Sequence, residues 1–87
     1  MKIKADYVKT EAMDGMFMVV PVGDASTEHQ VIELNETAAM IYDGFAEGLD
    51  ESGIAERLMA EYGIGRERAL AAVSSVADKL TAAGVME

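Results

Sequence analysis

The chain of 87 residues has no cysteine, no tryptophan, one proline, one histidine, and only seven lysines and arginines against 16 aspartates and glutamates. Without cysteine, neither a disulfide nor a thiolate metal cluster can staple the fold, which suits a reducing cytoplasm. The single histidine, His29, has no serine motif near it and too few companions for a zinc site, so nucleophilic catalysis and metal binding lack their parts. Adjacent acids such as Asp50-Glu51 are too isolated to serve as a tuned acid–base pair. The glycines form no phosphate-cradling pattern of the G-x-G-x-x-G or G-x-x-x-x-G-K type. No basic cluster is longer than Arg66-Glu67-Arg68 and the net charge is −9, which excludes a partner held mainly through phosphates and so a nucleic acid. The N-terminus lacks the apolar run of a secretory signal, and no stretch approaches the roughly 18 apolar residues of a membrane span. A cytoplasmic protein with no membrane partner is expected. The length suits one domain, residues 1–87, with a modest core and no room for a deep catalytic cavity, so neither an enzyme nor a cofactor is expected.

What is present is a folded composition, 51% hydrophobic and 26% charged. Tyr7 to Met13 and Met16 to Val20 read as strands joined at Asp14-Gly15, a pair suited to a two-residue hairpin. Pro21 marks a strand end or an unpaired edge position. The polar "GDASTE" loop follows, and "HQVIEL" alternates as a third strand with Ile32 and Leu34 on one face. Asn35 is placed to cap a helix that begins at once, with Glu36 at the positive end of its dipole. Ala38, Ile41, Tyr42, Phe45 and Leu49 form its apolar stripe. Asp50 is placed to cap a second helix that buries Ile54, Ala55, Leu58, Met59 and Tyr62. A third helix runs from about Arg66 to Ala83, with Ala69, Val73, Val76 and Leu80 as its main stripe and Leu70 and Ala77 beside it. Gly84 is placed to end it in the left-handed conformation, with Val85 packing back near Leu80. The expected fold is α+β and winged-helix-like: a three-stranded antiparallel sheet followed by three helices, in the order β-β-β-α-α-α.

With catalysis set aside, binding surfaces remain. Leu34 to Tyr62 holds seven acids against Arg57 alone, a solvated face or a docking surface for a basic partner. A three-stranded meander leaves unpaired edges, and "HQVIE", without proline and with few charges, can accept an extended peptide as a further strand.

"LNETAAMIYDGFAEGL", then "IAERLMAEYGI", then "VADKLTAAGVM", resembles the PqqD family, the peptide-recognition elements of pathways that make ribosomally synthesised, modified peptides. The match rests on Leu34-Asn35-Glu36-Thr37-Ala38-Ala39 with Tyr42 after it, on Gly48 ahead of an Ile-Ala-x-x-Leu helix, and on Leu80 with Gly84 before an apolar pair. The resemblance implies a non-catalytic domain that holds the leader segment of a precursor peptide while a separate enzyme, such as a radical SAM enzyme, a leader protease or a cyclase, modifies the core segment. It places the leader as a strand beside His29, Gln30, Val31, Ile32 and Glu33, in a groove walled by Ala69, Leu70, Val73, Val76, Ala77 and Leu80. Val76 and Ala77 are smaller than the bulky pair usual in the family, and Ala72 stands where relatives often carry an acid.

Two rival functions use the same observations differently. A carrier protein would tether its arm at Ser52, but "LDESGI" lacks the Asp-Ser-Leu order and the strands do not suit a helical bundle. A DNA-binding winged helix would need a basic recognition helix, and the third helix is close to neutral. A plain interaction or dimerisation module of the same fold is the remaining alternative, as a monomer or a homodimer, since an open edge can pair with its own copy.

Overall fold

Local chemistry sets the six elements of the chain. The structure, a computed structural model, describes residues 3, 7–21 and 32–86. His29, Gln30, Val31 and the "GDASTE" loop lie outside the described residues. Strands β1 (Tyr7–Met13), β2 (Met16–Pro21) and β3 (Ile32–Asn35) precede helices α1 (Glu36–Ala46), α2 (Glu51–Tyr62) and α3 (Arg66–Ala82). The strands form one antiparallel sheet in the order β1-β2-β3, so β2 is central and β1 and β3 are its edges. This is the α+β architecture expected, with Pro21 as the last residue of β2.

The hairpin turn departs from the simplest form. Gly15 takes φ +75° while Asp14 keeps a negative φ, and the β1–β2 register shifts between Glu11 and Met13. A type I′ turn needs positive φ at both central residues and a type II′ turn at the first, so a positive φ at Gly15 alone fits neither, and the hairpin closes with an irregularity in β1.

Chain direction changes sharply where β3 meets α1. Asn35 is both the last residue of the strand and the N-cap of the helix, its Oδ1 accepting from the Ala38 N–H at 2.8 Å. Asp50 does the same for α2, accepting from the Gly53 N–H at 2.8 Å. The C-termini of α1 and α3 close alike. After α3, the Gly84 N–H donates to the Thr81 carbonyl and the Val85 N–H to the Leu80 carbonyl, with Gly84 at φ +81°. This paired arrangement satisfies carbonyls that the helix leaves open and lets Val85 fold back against Leu80, both fully buried.

The core lies between the sheet and the helices. Val19, Ile32 and Leu34 supply the sheet side, and Ile41, Phe45, Ile54, Leu58, Val73 and Leu80 the helical side. Each large side chain removed from water contributes about 1.5–3 kcal/mol. Gly44 lets α1 and α2 approach: a Cβ there would stand 2.5 Å from Ile54 Cγ1. Helix α1 packs on β2 and β3, whereas the main contacts of α3 are with α2 and α1. Helix α3 therefore stands apart from the edge of β3, and that separation defines the site below.

Candidate peptide-binding groove

Glu33 and Lys79 meet across that separation. In β3, Ile32 and Leu34 point into the core and Glu33 points to solvent, the alternation read from the sequence. Lys79 Nζ donates to the Glu33 carbonyl oxygen at 3.0 Å. In an antiparallel pair, residues alternate between those that point both N–H and C=O at the partner strand and those that point both away. Lys79 reaches the carbonyl from α3, outside the β2–β3 pair, so Glu33 is of the second kind. Its N–H and C=O are the groups that an added strand would engage.

Beside this edge is an open cavity of about 330 Å³, lined by Asn35, Thr37, Ala38 and Ile41 from the strand-to-helix joint and α1, and by Ala72, Ser75, Val76 and Lys79 from α3. The α3 residues are spaced i, i+3, i+4 and i+7, one face of a helix. Small side chains at 72 and 75 keep the wall low, Val76 supplies the apolar contact, and the Lys79 stem closes one end. The caps at Asn35 matter here because they fix the angle at which α1 leaves the edge strand, and with it the floor of the cavity.

The structure brings together only part of the set read from the sequence. Val76 lines the cavity, and Glu33 lies at the open edge. Ile32 is buried beneath the sheet, while Leu70 is half-buried on α3 away from the lining residues. Ala69, Val73, Ala77 and Leu80 are 0–2% exposed in the chain alone and lie in the core, so they do not line this cavity. The reason is physical: the most apolar stripe of a helix is the one the free domain buries, so an open groove must be walled by the neighbouring face. Of the six α3 residues read from the sequence as the wall, 69, 70, 73, 76, 77 and 80, only Val76 is in the lining; Ala72, Ser75 and Lys79 each precede one of the six, 73, 76 and 80, by one residue, about 100° around the helix. Thr37 and Ala38 were also missed as lining; their place directly after the capped joint was the available signal.

A second cleft, of about 320 Å³, lies on the other side of α1. Four of its five charged lining residues form two ion pairs. Lys9 Nζ contacts Asp43 Oδ2 at 2.8 Å and sits 4.7 Å from the centre of the Phe17 ring. Arg57 donates to both carboxylate oxygens of Glu47, at 2.9 and 2.7 Å. The hydrogen bonds from Arg57 hold the Glu47 carboxyl below the usual glutamate range. Burial, with the neighbouring Asp43 charge, raises the Tyr42 phenol above its usual value and keeps it neutral. Among the described residues there is no cluster of three or more histidines, cysteines or carboxylates able to hold a metal, and no helix long and apolar enough to cross a membrane.

The model of the family described as coenzyme PQQ synthesis protein D (PqqD) matches residues 16–86. Two solved structures share the fold. One, described as TbiB1 in complex with the TbiA(beta) leader peptide, is 18% identical, with a TM-score of 0.82 over 100% of this chain and 95% of that one. The other, described as lasso peptide synthetase B1 complexed with the leader peptide, is 20% identical, with a TM-score of 0.79 over 99% and 95%. No curated protein matches the chain.

Proposed function

Because the chain belongs to the PqqD family, we propose that it binds the leader segment of a ribosomally synthesised precursor peptide and presents it to a separate modifying enzyme, taking no chemical part itself. The observation that carries this reading is the open edge of β3 beside the cavity walled by α3. An extended peptide laid antiparallel or parallel along Ile32–Asn35 gains main-chain hydrogen bonds at Glu33, and every second side chain turns toward the cavity, where apolar residues of modest size fit. The two solved structures of this fold are each described as complexes with a leader peptide, which supports leader binding as the function. The modifying enzyme would be a radical SAM enzyme, a leader protease or a cyclase, and would act on the part of the peptide beyond the groove.

Glu33→Pro tests the reading. Proline at an outward-facing position spares the β2–β3 ladder and removes one edge donor. By isothermal titration, with synthetic leader peptides encoded by the short reading frames adjoining its gene, the variant is expected to lose at least about tenfold in affinity, the loss of a good hydrogen bond and of local strand fit. Unchanged affinity in a folded Glu33→Pro variant would contradict strand addition.

The same open edge supports a second reading, pairing of β3 with a second copy of the chain. A concentration-dependent dimer in sedimentation that a leader peptide leaves intact would favour it.

A further inference from the structure

We propose that Lys79 is a built-in placeholder at the binding edge: its ammonium occupies the Glu33 carbonyl in the peptide-free protein and must be released before a leader strand can pair there. The inference rests on the proposed leader binding and adds a residue that tunes its affinity. Its basis is the 3.0 Å hydrogen bond from Lys79 Nζ on α3 to the Glu33 carbonyl on β3. That carbonyl faces away from β2, and it is the acceptor an arriving peptide N–H would use. A carbonyl oxygen has two lone pairs, so the competition is for space: the lysine stem lines the same cavity that the peptide side chains would enter.

The exchange makes chemical sense in both directions. With no peptide bound, a lysine over an unpaired edge satisfies an acceptor and sets a positive charge against strand-to-strand association of copies. When a peptide arrives, the ammonium swings into solvent on its flexible stem and is rehydrated, while the peptide N–H takes the carbonyl. The measured affinity is then the intrinsic affinity reduced by the fraction of molecules in which the edge is already clear. The leader residue facing the Glu33 carbonyl must also carry an N–H, so it is not proline.

The test is Lys79→Met, which keeps the apolar stem and removes the donor at an exposed position. In the peptide-free variant, the Glu33 carbonyl ¹³C resonance is expected to move relative to the wild type, while carbonyls of the α2 helix stay in place. In titrations with the same synthetic leader peptides, Lys79→Met is expected to bind about threefold to tenfold more tightly, the range for losing a competing charge-assisted hydrogen bond at an exposed site. Tighter binding together with the carbonyl shift supports the placeholder. A carbonyl that does not move, or equal or weaker binding by a folded variant, overturns it. If neither wild type nor variant binds any of the peptides, the proposed function itself fails, and Lys79 loses its role as a competitor with it.

Discussion

Arg57 grips Glu47 with two N–H groups across the α1–α2 turn, and the consequence is a titration that can be read at a single carbon. The Glu47 carboxyl is held below its ordinary value, so whatever this pair adds to stability is fully present above the ordinary glutamate range and is lost as pH falls through the lowered value. A ¹³C titration of the Glu47 side-chain carboxyl is expected to give a midpoint below that of an unpaired glutamate, and Arg57→Ala is expected to return it to the ordinary range. On α3, adjacent positions separate core from groove. Val73→Asp buries a charge at a fully enclosed site, a cost of several kcal/mol that a domain of this size does not survive. Val76→Asp, at a half-buried position on the cavity wall, is expected to stay folded in circular dichroism and to lose leader affinity by at least tenfold, since the charge would have to be desolvated by each bound peptide. The reverse pattern, with Val73→Asp folded and Val76→Asp binding normally, would contradict the assignment of the two faces.

At the scale of elements, the joint between β3 and α1 carries most of the positioning. Asn35→Ala removes the acceptor for the Ala38 N–H and is expected to cost about 1 kcal/mol, seen as a lower midpoint in chemical denaturation with an unchanged slope. This joint was legible in the sequence because its signals are local: an asparagine between an alternating strand and a helical stripe, with Glu36 behind it. The caps at Asp50 and Gly84 were legible for the same reason. The rotation of α3 was not. Its 17 residues carry alanines and valines on more than one face, and periodicity alone ranks the stripes by apolarity without saying which neighbour each one meets. Val76, read as part of the main stripe, is only half-buried, and Ala77, read as flanking it, is buried. Lys79 was invisible as a site residue because its meaning depends on a carbonyl 46 positions earlier in the chain. Gly44 carried a weak signal, a costly residue inside a helix, whose reason became visible only when Ile54 was found packed against it.

For the whole molecule, the absence of basic clusters and the net charge of −9 leave a protein whose described surface is acidic away from the groove, with both cations of the second cleft, Lys9 and Arg57, taken up in ion pairs. Among the described residues, the β3 edge and the α3 wall bring main-chain groups and an apolar cavity together, which is where the proposed recognition is placed. The most direct test is an NMR titration of ¹⁵N-labelled protein with the leader peptides encoded beside its gene. Saturable shifts centred on Glu33, Leu34 and Asn35 and on Ala72, Ser75, Val76 and Lys79 are the predicted result. Shifts confined to Lys9, Asp43 and Arg57 around the second cleft, or none with any of the peptides, would contradict it.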